Sequence, residues 1–365
     1  MQNTQNKNIN LTKINLLNLN RKKMYNFLQN ISEPKFRAHQ IMIWIYHHFC
    51  NSFDNMTNIN NDLKKKLNNI STITPPKFIK EIISSDNTIK WLVSVKGGLI
   101  ETIYIPEKKR GTLCISSQVG CILNCHFCAT GLQKFKRNLL VSEIIGQIWI
   151  AIKKINKMDD PKYPKITNIV MMGMGEPLFN FNNVLTAINI ISDTFGFNFT
   201  KKKIIISTSG IVPAIYKLSS LLDVKLAISL HASNDTLRNK LMPINKKYNI
   251  SSLLNAIKQF IKTSKLNKKG ITIEYVMLHN INDSLLHAKE LIQILKNIPI
   301  KINLIPWNKI PNSIFKSSTK EQINKFLNFL NQHNIMTTIR KPRGEDIQAA
   351  CGQLTGNLPI LKTKT

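Results

Sequence analysis

Apolar residues recur at helical spacing through Arg21–Asn30 and Lys35–Cys50, which predicts two helices. Asn-rich stretches and Thr74-Pro75-Pro76 then break the pattern. Residues 1–85 read as a small helical accessory domain. Beyond them, Lys90–Val95 and Gly98–Ile105 read as strands joined by a turn at Lys96-Gly97. Strand-like runs follow at Gly111–Ser117, Ile166–Met172, Lys203–Ser207, Val224–Leu230, Ile271–Leu278 and Ile300–Ile305. Helix-like segments lie between and after them, at Val141–Asn156, Asn183–Phe195, Ile211–Leu222, Ser251–Thr263, Ser284–Asn297 and Thr319–His333. Alternation of helices with β-branched, apolar strands predicts a parallel α/β domain over residues 86–340. Six strand–helix units fall short of the eight that close a barrel, so an open, partial (β/α)6 barrel is favoured. A doubly wound sheet is the competing topology. Residues 341–365 form a tail.

With 43% hydrophobic residues, a chain of 365 can bury a sizeable core. Its longest apolar segment, Val141–Ile152, is broken by Ser142, Glu143, Gly146 and Gln147, which argues against a membrane span. The first twenty residues lack an apolar stretch followed by a small-residue cleavage site, which argues against a leader. Six cysteines in so long a chain are not a small disulfide framework. These features predict a cytoplasmic protein of a reducing compartment. The net charge of +31 points to a polyanionic partner, nucleic acid foremost. The basic N-terminal helices and Arg340-Lys341-Pro342-Arg343-Gly344 are candidate docking segments. The competing explanation is codon usage: Lys outnumbers Arg about six to one and Asn makes up roughly 12% of the chain, both from A-rich codons.

Chemically unusual residues gather at the predicted strand ends. Cysteines follow the first barrel strand, and Gly173-Met174-Gly175-Glu176-Pro177 follows the second. Ser207-Thr208-Ser209-Gly210, Ser229-Leu230-His231 and Pro306-Trp307-Asn308 follow later ones. In parallel α/β folds the site lies at the carboxyl ends of the strands. Glycines in the second turn would let backbone approach a ligand, and Glu176 would accept from an ammonium. Taken singly, Ser207, Ser229, His231 and Asn308 are as readily turn or cap residues.

Cys121, Cys125 and Cys128 form C-x-x-x-C-x-x-C, three thiols within eight residues. A structural zinc takes four ligands, and the nearest fourth candidates are Cys114 and His126. An iron–sulfur cubane normally takes four cysteines, so three leave one iron open to a chelating cofactor such as S-adenosylmethionine. The spacing favours iron–sulfur over zinc. His47 and His48 suggest a metal pair but read more simply as helix surface, and Cys50 on the same helix as a buried small hydrophobe. Cys351 stands alone in the tail.

At the three-cysteine motif the chain resembles radical S-adenosylmethionine enzymes. Ile115–Cys121, Met171–Pro177 and Arg343–Leu354 narrow the resemblance to the RlmN family of dual-specificity RNA methyltransferases, from about residue 20 to 356. The pattern is weakest in the first twenty residues and around Lys265–Lys269. The resemblance implies methylation of adenine carbon 2, at adenine 2503 of 23S rRNA and adenine 37 of tRNA. It implies a [4Fe-4S] cluster on Cys121, Cys125 and Cys128, and S-adenosylmethionine held by Gly175, Glu176, Ser207, Ser229, Leu230, His231 and Asn308. Two cofactor molecules serve each turnover. Cys351 is implied as methyl carrier, Cys114 as the thiol that releases product by disulfide formation, and Glu101 as proton acceptor. A monomer served by an electron donor such as flavodoxin completes the implied picture. Two rivals stay open at this point: the related family that methylates carbon 8, and a non-catalytic, zinc-stabilised RNA-binding protein.

Overall fold

The computed structural model describes residues 13–356. The first twelve residues, part of the stretch behind the leader expectation, and the last nine of the tail lie outside that range.

Ten strands make one sheet: β1 (Lys77–Ile83), β2 (Ile89–Val95), β3 (Gly98–Glu107), β4 (Arg110–Cys114), β5 (Ile166–Met171), β6 (Ile204–Thr208), β7 (Lys225–Ser229), β8 (Ile271–Met277), β9 (Ile300–Pro306) and β10 (Thr337–Ile339). Their order across the sheet is their order along the chain. β1 to β4 pair antiparallel, and β4 to β10 pair parallel. A doubly wound sheet reverses its strand order at a switch point. This order never reverses, so the competing topology is set aside and the open partial barrel stands.

The helices are α1 (Arg21–Gln29), α2 (Phe36–Tyr46), α3 (Asn61–Ile70), α4 (Val141–Met158), α5 (Phe181–Ser192), α6 (Val212–Leu221), α7 (Asp235–Leu241), α8 (Ile250–Thr263), α9 (Leu285–Leu295) and α10 (Lys320–Gln332). Asparagine does structural work at their ends. Asn20, Asn60, Asn234 and Asn249 each accept the backbone N–H of the third helical residue. Such caps contribute about 1 kcal/mol apiece. Asn87, Asn124, Asn198, Asn280, Asn297, Asn312 and Asn334 take positive φ, a region asparagine tolerates better than most residues. Whatever the origin of the asparagines, the fold puts many of them to use.

Three expectations change. β1 lies inside the stretch read as helical; its alternately half-buried and exposed residues pair with β2. A seventh parallel strand, β10, extends the predicted six. α2 stops at Tyr46, so His47, His48 and Cys50 lie beyond it, with Phe49 at a φ of 51°. Cys50 is buried there, its thiol 3.0 Å from the Ser52 carbonyl oxygen.

The N-terminal helices pack on the barrel helices rather than standing apart. The Trp149 indole on α4 donates to the Ile45 carbonyl at 2.7 Å. Arg21 pairs with Asp193 just after α5, and the His39 ring stacks on Phe195 at 4.1 Å. The barrel core is built from strand residues such as Ile169, Ile206, Ile273 and Leu304, all fully buried.

Candidate functional site

One cavity collects the carboxyl ends of the parallel strands. Its walls include Cys121, Cys125 and Cys128 from the loop after β4, Gly175 and Glu176 after β5, and Ser207 on β6. Ser229, His231, Asn308, Arg340 and Cys351 also line it. Five separate strand ends and the tail therefore meet at one place, as the predicted clustering requires.

The glycines of the second turn serve packing as well as access. A Cβ on Gly173 would lie 2.7 Å from the Ile115 backbone, and one on Gly175, at φ +94°, 2.4 Å from Gln118 Cβ. The turn can seat against the segment leading into the cysteine loop only if both lack side chains. Glu176 locks it. One carboxylate oxygen accepts Leu178 N–H at 3.0 Å and the other accepts Ser209 N–H at 2.8 Å, which ties the ends of β5 and β6 together. Burial raises the Glu176 pKa, and these hydrogen bonds oppose the rise.

His231 is buried at a φ of 59°. Its Nδ1 accepts Val276 N–H at 3.0 Å, leaving Nε2 to carry the proton. Burial pushes its pKa down to about 3, with Arg238 adding to the shift, so the ring is neutral near pH 7. Leu230, between Ser229 and His231, is fully buried behind the wall and is not among the lining residues. Its N–H donates to the Glu274 carbonyl, and its own carbonyl accepts from Arg238 Nε. Arg238, wholly buried, also donates to the carbonyls of Ser209 and Ser229 and so braces the ends of β6 and β7.

The three motif thiols are free and share the cavity. Burial raises all three pKa values: Cys121 to about 12, Cys125 well above an ordinary thiol, and Cys128 in the same direction. Repulsion from Cys128 and Cys121 adds to the Cys125 shift. Buried thiols that repel one another as thiolates are a donor set that cationic iron would relieve. Among the described residues, no group of three His, Cys, Asp or Glu forms a site for one metal ion. A cubane makes a different demand, one thiolate for each iron held. The donor set fits the cluster.

Cys351 stands where two cavities meet. A second cavity, which shares Met172, Asn308, Arg340 and Cys351 with the first, is also lined by Cys114 at the end of β4. Both thiols are free. Burial pushes the Cys114 thiol up to about 12, with the neighbouring Cys351 adding to the rise. The tail is held by specific bonds. Asn308 Nδ2 donates to the Cys351 carbonyl at 3.0 Å, and Ala129 N–H donates to the Gly352 carbonyl at 2.7 Å. Asp346 accepts Ser84 Oγ–H at 2.5 Å and Ser85 N–H at 2.9 Å, anchoring the tail to the turn before β2.

Glu101 is not brought into either cavity. It is buried on β3, 3.6 Å from Lys90 Nζ, and its Oε2 accepts Thr355 N–H at 3.3 Å. Burial raises its pKa and Lys90 opposes the rise. Sequence reading passed over Arg340 and Glu274. Arg340 belongs to a basic run in the sequence, yet it lines both cavities. Glu274 is a carboxylate inside the apolar run of β8, and a charge at the centre of a buried strand is itself a signal.

The fold and the cysteine loop define a radical S-adenosylmethionine enzyme. Residues 115–292 match the family model "Radical SAM superfamily", and residues 14–73 match "Ribosomal RNA large subunit methyltransferase N-terminal domain". A dual-specificity RNA methyltransferase RlmN from Buchnera aphidicola subsp. Cinara cedri is 60% identical over 349 residues, covering 95% of this chain and 97% of that protein. Its namesake from Wigglesworthia glossinidia brevipalpis is 57% identical, covering 95% and 91%. A crystal structure of a radical SAM methyltransferase from Sphaerobacter thermophilus superposes with a TM-score of 0.87 at 37% identity, covering 94% of this chain and all of that one. The chain belongs to the RlmN family of dual-specificity RNA methyltransferases. The family uses a [4Fe-4S] cluster and S-adenosylmethionine. Neither the carbon-8 reading nor the zinc-binding reading is favoured. No helix among the described residues is long and apolar enough to cross a membrane.

Proposed function

We propose that this chain methylates carbon 2 of adenine in 23S rRNA and tRNA, with Cys351 as methyl carrier. The observation that carries this reading is Cys351 itself, shared between the cavity of the motif thiols and the cavity of Cys114. Cys121, Cys125 and Cys128 would hold the cluster, and Gly175, Glu176, Ser207, Ser229, His231 and Asn308 would surround S-adenosylmethionine. When bound, that pair supplies a methyl group for a thiolate and a radical able to take hydrogen from the resulting S-methyl carbon.

The chain's own residues account for the rest. An adenine C–H is neither nucleophilic nor acidic enough to take a methyl directly, whereas a thiolate is a good nucleophile. Cys351 accepts the methyl and presents its carbon to the base, so base and protein become joined through that carbon. Cys114 then attacks the Cys351 sulfur. The new S–S bond forms as the S–C bond breaks, its electron pair passes to the carbon on the base, and a proton completes the methyl group. Both cysteines are oxidised in this step, so a thiol reductant must reset them. Glu101 would take the carbon-2 proton. That role requires the Thr355 contact to open, because Glu101 otherwise faces Lys90 and the tail.

On the same reading the chain works as a cytoplasmic monomer with an electron donor such as flavodoxin. The six free cysteines suit a reducing compartment. Anaerobic turnover on rRNA and tRNA fragments, followed by nucleoside mass spectrometry, tests the proposal. It expects 2-methyladenosine in both RNAs; 8-methyladenosine, or no modified adenosine, would overturn it.

Domain boundaries follow the same reading. Residues 1–85, whose last strand β1 joins the sheet, would dock RNA, residues 86–340 would house the radical chemistry, and residues 341–365 would carry Cys351 to it. The family model ending at residue 73 supports a distinct N-terminal unit.

A further inference from the structure

Four side chains form a rung across neighbouring strands: Ser229 on β7 is in register with Glu274 on β8, Glu274 with Asn303 on β9, and Asn303 with Thr338 on β10. Hydrogen bonds lock three of them. Thr338 Oγ1–H donates to Asn303 Oδ1 at 2.6 Å, and Asn303 Nδ2 donates to Glu274 Oε1 at 3.2 Å. The Glu274 carboxylate is thereby oriented through one oxygen. Its other oxygen, Oε2, is buried and accepts no hydrogen bond among the described residues. Arg340 Nη1 lies 4.0 Å from it, close enough to favour its charge but beyond hydrogen-bond reach.

A buried carboxylate oxygen without a donor is costly unless a ligand supplies one. Glu274 lines the cavity of Cys351 and also a second, partly open space bounded by Asn168, Thr272 and Asn303. It therefore faces the space a base must enter to meet the methyl carrier. Adenine offers a matching group: its exocyclic N6 amine is a donor, while guanine presents the O6 acceptor at that position. A carboxylate acceptor rewards the first and repels the second.

We propose that Glu274 Oε2 accepts a hydrogen bond from the N6 amine of the target adenine and selects adenine over bases lacking that donor. This rests on the proposed base-methylating function. Asn303 and Thr338 are positioning residues that hold the carboxylate in line.

The test compares an RNA stem-loop carrying adenine at the target position with one carrying purine, which keeps carbon 2 but lacks the amine. Wild type is expected to prefer adenine by roughly 10- to 100-fold in kcat/KM, the worth of a hydrogen bond to a charged group. Glu274→Gln should lower kcat/KM on adenine by a similar factor and leave the purine rate within a few-fold, so that the preference collapses. Methylation of Cys351 in the absence of RNA, read by protein mass spectrometry, should persist in Glu274→Gln. Equal losses on both RNAs, no loss on adenine, or loss of Cys351 methylation would each overturn the assignment. If wild type modified neither RNA while methylating Cys351, the base-methylating function would fail instead.

Discussion

At the residue scale, the two distant cysteines carry the sharpest expectation, because they act at different steps. Cys351→Ala removes the methyl carrier, so no carbon can reach the base and the RNA should stay free and unmodified. Cys114→Ala leaves the carrier intact but removes the thiol that frees the product. That variant should accumulate protein covalently joined to RNA. A denaturing gel after anaerobic turnover, with and without ribonuclease, reads the adduct as a nuclease-sensitive shift. Normal turnover by Cys114→Ala, or an adduct with Cys351→Ala, would refute the paired roles. Replacing Cys121, Cys125 or Cys128 with Ala should deplete iron, measured by metal analysis of anaerobically purified protein, and stop cofactor cleavage. Full iron in all three variants would remove the cluster assignment. The motif thiols were legible because they act as neighbours on one loop. Glu274 was not, because its role depends on register with Asn303 and Thr338, which lie on separate strands.

At the scale of elements, legibility followed local chemistry. β5, β6, β8 and β9 are short runs rich in isoleucine and valine, β7 is a short apolar run, and each lies within a few residues of its predicted span. β1 was missed because Lys77, Lys80 and Glu81 interrupt its apolar positions, as suits a strand at the sheet edge. β10 has only three residues and no pattern to read. One helix contact was invisible in sequence. Gly146 lies inside α4, where glycine costs about 1 kcal/mol relative to alanine. A Cβ there would sit 2.1 Å from Pro76 Cδ, in the segment that links the N-terminal helices to β1. Overpacking typically costs about 1–3 kcal/mol, occasionally more. At so short a distance the clash should outweigh the helix gain. Gly146→Ala is expected to lower Tm in thermal unfolding, and an increased Tm would show that Pro76 gives way freely.

At the scale of the whole molecule, the charge of +31 has two explanations that differ in a measurable slope. Family membership makes RNA the substrate, but it does not decide how much of the excess of Lys touches phosphate. Basic residues that neutralise phosphates release counterions, so log affinity falls linearly with log salt at a slope set by the number of contacts. Lysines inherited from codon usage and scattered over the surface add a diffuse attraction without ordered contacts. The tail segment offers a discriminating pair. Lys341 and Arg343 both line the cavity that holds Cys114 and Cys351, which puts two basic side chains beside those thiols. Arg343 Nη1 lies 3.9 Å from Asp86 Oδ2 and is partly neutralised, whereas Lys341 has no carboxylate partner within 4.0 Å among the described residues. Lys341→Ala should therefore weaken RNA binding and reduce the salt slope by about one ion, close to the increment expected for a lost phosphate contact. A lysine on a barrel helix remote from the cavity, such as Lys325, already paired with Glu321 at 2.7 Å, should change neither when replaced by Ala. Fluorescence anisotropy with a labelled stem-loop across a salt series measures both. Identical slopes for wild type and Lys341→Ala would return this part of the charge to codon usage.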